Sequence, residues 1–314
     1  MNAVDKQTYL EKMLAAPRPG ADKVLAFYEH RVNAICTDPH LLLAPLDDHL
    51  CHRGDGVFES IAYRDGRLFQ LDAHMERMRN SAAGLHLTPP CPWEDVRERI
   101  IDVARAGTAP TGAIRVLVGR GPGGFGISPQ ECPQSSLYII AMRGAAPADA
   151  VYQRGLSAFR SAIPAKQQYL ARIKNINYLP NVLMTEEART KGMDVAVSFD
   201  ADNCMAEAAI ANVGIVDAEG VLVCPEFTNT LPGTTAIRAL ELAAERMPVR
   251  QRPVRADELP HIREMLFFSS TPLCVGITSF DGAPVGNGKP GPVALWLKDA
   301  LLRALLDEGT PFQA

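Results

Sequence analysis

Apolar residues recur along this chain in two periods, and the switch between them marks the elements. Lys6–Ala15 reads as a short helix, broken at Pro17–Gly20, and Val24–Tyr28 as a strand. Residues 47–56, D-D-H-L-C-H-R-G-D-G, are too rich in turn formers for either and read as a loop. Strands at Val57–Tyr63 and Leu68–Gln70 flank Arg64-Asp65-Gly66-Arg67, a hairpin signal. Asp72 is placed to cap a helix running to Gly84, with Met75, Met78 and Ala82 on its inner face. A second amphipathic helix, Glu94–Arg105, turns Val96, Ile100 and Val103 inward. Strands at Ala113–Gly119 and Ser136–Met142 enclose a glycine-rich loop.

Alanine, proline and aspartate at 145–150 read as a connector. They divide the chain into a smaller N-terminal α+β domain, residues 1–146, a linker at 147–151, and a larger domain at 152–314. The larger part opens with a strand near Leu156–Ala162 and reaches Lys174 where a strand should end and a helix begin. Asn177 is a plausible N-cap, Pro180 falls in the first turn, and Gly192 can close the far end behind Arg189 and Lys191. Val195, Val197 and Phe199 alternate as in a half-buried strand, and Asn212–Val216 with Val221–Cys224 form a hairpin around 217–220. Gly233-Thr234-Thr235 opens a helix whose Ile237, Leu240, Ala244 and Met247 keep helical spacing. Strands at Val249–Val254, Met265–Ser269 and Cys274–Phe280 precede a closing helix, Val293–Leu306. No internal repeat is visible. Strands outnumber helices in both halves, which favours mixed sheets over a doubly wound one.

Composition narrows the class. The chain has 314 residues, 47% hydrophobic and 22% charged, enough to bury a substantial core. A net charge of −4 argues against nucleic acid or an anionic membrane surface as partner. No apolar run approaches spanning length, and M-N-A-V-D-K-Q lacks a signal-peptide core. Seven cysteines without a C-x-x-C pair fit a reduced interior better than a disulfide scaffold. A cytoplasmic, enzyme-sized soluble protein is expected.

Four patterns bear on chemistry. Lys174 sits among Ile173, Ile176, Tyr178 and Leu179, where desolvation would lower its pKa and make it nucleophilic; a lysine snorkelling at a helix entrance is the plain alternative. Gly233-Thr234-Thr235 at a helix start offers free N–H groups, hydroxyls and the positive dipole end to an anion, or is an ordinary threonine cap. Ser269-Ser270-Thr271 offers further donors, and Arg77 a cation. Glu207, alone in C-M-A-E-A-A-I-A-N-V, needs a partner, either a protonated heterocyclic nitrogen or a structural salt bridge. Two other patterns point away from chemistry. The loop Gly119–Gly126 contains G-x-G-x-x-G twice, but Pro129 and Pro133 leave no room for the helix that a dinucleotide fingerprint requires. Asp47, Asp48, His49, Cys51 and His52 lack a second ligand group at recognisable spacing, so no metal is expected.

The segments D-D-H-L-C-H-R-G-D-G-V-F-E, H-M-E-R-M-R-N-S-A, I-K-N-I-N-Y-L-P-N-V-L and L-P-G-T-T-A-I-R resemble, in order and spacing, the class IV (fold type IV) aminotransferases. That family includes branched-chain aminotransferases, D-amino acid aminotransferases and 4-amino-4-deoxychorismate lyases, and the pattern is most similar to the plant chloroplast D-amino acid aminotransferase group. The resemblance implies a D-amino acid aminotransferase-like, two-domain fold with mixed sheets, the larger C-terminal domain carrying a barrel-like sheet and binding pyridoxal 5′-phosphate. It implies Lys174 as the Schiff-base lysine that shuttles the substrate's α-proton, and Glu207 as the acid on the pyridine nitrogen. Arg77, Thr234, Thr235, Ser270 and Thr271 match phosphate-binding positions, and Tyr178 the phenolic-oxygen contact. Phe58, Arg115 and Arg120 are the expected substrate contacts, because the R-x-H carboxylate trap of bacillus-type members is absent from Gly126–Pro133. Ala208 stands where the family usually has glycine after the acid, and Ala236 where it often has arginine. The expected activity is amino-group transfer between an amino acid and a 2-oxo acid by a homodimer. A lyase releasing pyruvate from aminodeoxychorismate, and a ligand-binding relic without turnover, are the alternatives.

Overall fold

The structure, a computed structural model, describes residues 3–313. The N-terminal half runs α1 (Lys6–Ala15), β1 (Val24–Glu29), β2 (Ala34–Cys36), α2 (His49–His52), β3 (Gly56–Arg64), β4 (Arg67–Leu68), α3 (Leu71–Gly84), α4 (Trp93–Ala106), β5 (Gly112–Gly119) and β6 (Ser136–Arg143). Then follow α5 (Asp149–Arg154), β7 (Leu156–Arg160), α6 (Gln168–Ala171), α7 (Leu179–Lys191), β8 (Val195–Phe199), β9 (Met205–Ala208), β10 (Ala211–Val216) and β11 (Leu222–Cys224). The chain closes with α8 (Thr234–Ala244), β12 (Val249–Gln251), β13 (Glu264–Ser269), β14 (Leu273–Phe280), β15 (Ala283–Pro284), α9 (Pro292–Glu308) and β16 (Thr310–Pro311).

Two sheets organise these elements. The first, in the order β16-β4-β3-β5-β6-β1-β2, is antiparallel throughout. The helices α3 and α4 cover one face of it, where Met78, Val96 and Ile100 meet Ile61, Ile114 and Ile139. In the second, β10-β13-β14-β7-β8-β9 closes on itself through β9 and β10, a six-stranded barrel with parallel pairs at β14–β7 and β7–β8. Val197, Val213, Ile215, Met265 and Ile277 pack in its core. Outside it, α8 and α9 pack on β13 and β14 through Ala236, Ala239, Leu266, Phe268, Leu297 and Leu301. This is the barrel-like, fold type IV architecture that the resemblance implied.

Several local expectations are corrected. All five residues of β8 are buried, because Ala196 packs beneath Met184 and Ala188 of α7 while its neighbours face the barrel core; the strand is covered on both faces. The start of α3 is capped by the left-handed backbone of Gln70; Asp72 lies inside the first turn and pairs with Arg97 at 2.8 Å. On α8 the inward face is Ala236, Ala239, Leu240 and Ala243, whereas Ile237 is 37% exposed and Ala244 also points out. Small alanines let that helix lie close to β13; of the expected inward positions Leu240 is buried and Met247 packs against the same core, whereas Ile237 and Ala244 do not. The strand expected at 156–162 ends at Arg160, and the one at 249–254 at Gln251. The short elements β2, β9, β16, α2, α5 and α6 carry no period long enough to read.

Candidate active site

Lys174 does not follow a strand. It leaves the short α6 and runs alongside the start of β3, where Phe58 N–H donates to Lys174 O at 3.0 Å and Ile176 N–H to Gly56 O at 3.1 Å. Lys174 N–H donates to Ser81 Oγ at 3.1 Å, so α3 fixes the same residue from the other side. The lysine is thus held where the two sheets meet. Asn177 does not cap α7. Its amide donates to Gly54 O at 2.9 Å, Tyr178 takes the cap position, and Pro180 and the left-handed Gly192 occupy the ends as expected.

The Lys174 ammonium faces a mostly aromatic wall. Nζ donates to Tyr178 Oη at 3.3 Å and lies 4.5 Å from the Phe58 ring centre; the two rings meet edge to face. Burial, with Arg77 and Arg115 acting in the same sense against Glu59 and Glu207, lowers its pKa to about 8. Burial raises the Tyr178 hydroxyl, and the neighbouring Glu207 adds to the effect. Glu207 lies on β9 in the same pocket, where burial pushes its carboxyl up against the opposing pull of the Leu231 amide, Lys166 and Lys174. Among the described residues its only hydrogen-bond donor is Leu231 N–H, at 3.1 Å. Among the described residues no side chain hydrogen-bonds or ion-pairs with this acid.

At the other end the pocket meets the start of α8, an eleven-residue helix whose cap, Gly233, has no side chain to satisfy its first amides. Thr235 is 3% exposed and its Oγ1 has no partner among the described residues, while Thr234 Oγ1 meets His74 Nε2 at 3.2 Å. Arg77, from α3, lines the same pocket; its Nε and Nη2 grip both oxygens of Glu59 at 2.8 and 2.7 Å, and Nη1 donates to Pro232 O at 3.1 Å. Ser270 lines this pocket and a second one that opens beyond Lys174 and Tyr178, whereas Thr271 lines only the second and is exposed.

That outer pocket is walled by Phe58, Ser60, Arg115, Leu117 and Ile176. The Arg115 guanidinium stacks 5.1 Å from the Phe58 ring centre, its Nε is buried without a partner among the described residues, and burial lowers its pKa. Arg120 is not brought here. It is held by both oxygens of Asp55 at 2.9 and 3.0 Å and by the carbonyls of Leu85 and His86. Residues 119–128 line neither pocket; they pack on α2, where His49 Nε2 donates to Gly124 O at 2.9 Å, and no α-helix follows them. Asp48 accepts from Leu50 N–H, Gly121 N–H and the Tyr138 hydroxyl, which gives this polar loop a structural task.

Four residues at or beside the pocket were missed in the sequence. Glu59 and His74 lie in V-F-E and H-M-E-R, and their place inside two of the family-like segments was the available signal. Lys166, 4.8 Å above the Tyr178 ring centre, and Asn181, whose Oδ1 is buried without a partner among the described residues, had no such signal.

A family model, Amino-transferase class IV, matches residues 56–280. The chain is 33% identical over 290 residues to the chloroplastic D-amino-acid transaminase of Arabidopsis thaliana, covering 90% of this chain and 77% of that protein. It is 30% identical over 264 residues to the branched-chain-amino-acid aminotransferase of Salmonella typhimurium, covering 80% and 84%. Its fold is similar to that of the T.th. branched-chain amino acid aminotransferase solved with pyridoxamine 5′-phosphate, with a TM-score of 0.85 at 24% identity, covering 90% of this chain and 94% of the other.

Proposed function

The chain belongs to the class IV aminotransferases, and from that premise we propose that it moves an amino group between a D- or branched-chain amino acid and a 2-oxo acid at the pocket around Lys174, with pyridoxal 5′-phosphate as cofactor. The residues fit that group. The unsatisfied hydroxyl of Thr235, the open amides of α8 and the Arg77 guanidinium form an anion cradle for a phosphate. Glu207, without a cationic partner within salt-bridge range among the described residues, suits a protonated ring nitrogen at the opposite end. When bound, the cofactor supplies an electron sink for the carbanion left at the substrate's α-carbon.

The chain's own groups do the rest. Lys174 Nζ, poised near pH 8, is in part neutral at neutral pH and can accept the α-proton, hold it beside Tyr178 Oη and give it back. Phe58 and Tyr178 exclude water from that transfer. Arg115, free of any carboxylate among the described residues, is the group best suited to grip the substrate carboxylate, with Thr271 beside it in the outer pocket. The observation that carries the reading is the desolvated Lys174 amine between Glu207 and the start of α8.

A visible spectrum of the purified protein tests it. An absorption band between roughly 400 and 430 nm that Lys174→Ala abolishes is expected. D-alanine, L-leucine or aminodeoxychorismate, added separately, should bleach it selectively and so identify the donor; p-aminobenzoate released from the last would establish the lyase instead. A protein that stays colourless with added cofactor overturns the assignment.

The same reading assigns residues 1–146 to a smaller domain and 152–314 to the cofactor-binding one, joined at 147–151, in a cytoplasmic homodimer. Support for a second copy comes from Leu46, Phe125 and Ile127, which are 66–85% exposed near the paired loops at Asp48 and Pro122. Sedimentation at a monomer mass would remove the dimer.

A further inference from the structure

Neither the family pattern nor the relatives' names assign a role to Glu59, yet it is the hub of the anion end of the pocket. Glu59 is 1% exposed, and burial pushes its carboxyl up; Arg77 and His74 outweigh burial and hold it well below the usual carboxylate range, so it is an acceptor only. His74 Nδ1, 2.7 Å from Glu59 Oε2, must therefore carry the hydrogen. His74 is wholly buried, and that burial lowers its pKa, so the ring is neutral and its Nε2 is bare. It follows that the Thr234 hydroxyl, 3.2 Å away, donates to Nε2 and has no proton left for a ligand. The two threonines at the start of α8 are not equivalent. Thr235 alone keeps a free hydroxyl donor, and Thr234 is tied back through His74 to Glu59.

The other arm of Glu59 is its paired contact with Arg77. That contact and Pro232 O commit three of the five guanidinium N–H groups and fix the plane of the fork. One carboxylate thereby orients two groups from different elements, the Arg77 fork on α3 and the first turn of α8.

We propose that Glu59 is the positioning residue of the phosphate clamp, holding Arg77 directly and α8 through His74 and Thr234, so that the remaining Arg77 N–H groups and the Thr235 hydroxyl converge on one phosphate. This rests on the cofactor reading above. The rival role for Glu59 is plain neutralisation of a buried arginine, and the two differ in sign. If Glu59 only neutralises, removing its charge leaves a stronger cation and tighter phosphate binding. If it positions, removal lets the fork and the helix start drift and phosphate binding weakens.

The test is the ratio of dissociation constants for pyridoxine and pyridoxine 5′-phosphate, measured on purified protein freed of cofactor by quenching of its fluorescence. Both probes lack the aldehyde, so Lys174 chemistry does not enter, and a general loss of folding weakens both alike and leaves the ratio unchanged. Glu59→Gln keeps the shape and loses the charge; Glu59→Asp keeps the charge and loses the reach. Positioning predicts that each lowers the phosphate preference at least about tenfold, as loss of a hydrogen bond to a charged group would. Thr235→Val should lower it similarly, and Thr234→Val less. A wild-type preference that survives or rises in the Gln variant, with the Asp variant unchanged, overturns the positioning role and leaves the cofactor reading intact. A wild-type protein with no preference for the phosphate ester overturns the cofactor reading itself.

Discussion

A buried amine and a buried acid in one pocket perturb each other less than burial perturbs both. Lys174 is lowered to about 8 and Glu207 is raised, each chiefly by loss of water. The lysine's shift has a consequence for stability. A lysine with a folded pKa below its unfolded one binds fewer protons in the folded state across that window, so stability rises with pH there. Cofactor-free protein should gain stability between about pH 8 and the ordinary lysine value of 10.5 and lose that gain below it. Lys174→Met, which has nothing to desolvate, should flatten the profile and raise Tm at pH 7; thermal unfolding across pH checks both. For the acid, Glu207→Gln should keep the protein folded and cut kcat on the order of 10²-fold, the scale for removing one charge-stabilising partner, as single-turnover kinetics would report. At this scale Glu207 was visible as a lone ionisable group in an apolar run, and Lys174 as an amine set among Ile173, Ile176, Tyr178 and Leu179. Lys166 and Asn181 were not, because nothing local separates them from surface residues.

The element that decides the anion end is α8. Its register on β13 is set by Ala236, Ala239 and Ala243, and the loop before it is held by Asn212, whose amide donates to Leu231 O at 2.8 Å. A β-carbon on Gly233 would come within 1.8 Å of Asn212 Oδ1. Gly233 has an ordinary φ of −72°, so the need is for close approach, not for a left-handed backbone. Gly233→Ala should push Asn212 off its carbonyl, cost about 1–3 kcal/mol, and weaken pyridoxine 5′-phosphate more than pyridoxine; denaturant unfolding and the two affinities measure this. The helix start was readable from G-T-T, but the face that packs was not. Three of its four inward residues are alanines, and alanine gives little periodic contrast.

Over the whole molecule, the last strand ties the chain's end to its beginning. After α9 has packed on the barrel, β16 pairs with β4 of the first sheet, and Phe312, 2% exposed, stacks edge to face on Tyr63 at 5.1 Å. Arg105 reinforces the junction by donating to Phe312 O at 3.1 Å. Phe312→Ala should therefore cost about 3–5 kcal/mol, and the loss should appear in unfolding followed at the N-terminal sheet although the substitution lies at the C-terminus.

The sequence by itself determined the long elements, the hairpin at Arg64–Arg67, the family, and the residue types able to hold a phosphate and a ring nitrogen. Periodicity over eight or more residues and ordered motifs are local information, and they survive without coordinates. Only the tertiary structure decided that Lys174 is clamped between β3 and α3, that Arg120 belongs to Asp55 while Arg115 faces the outer pocket, and that Glu59 joins α3 to α8. Each of these is a pairing between residues far apart in the chain, fixed by which sheet edges and helix ends the fold brings together, and no window of sequence contains both partners.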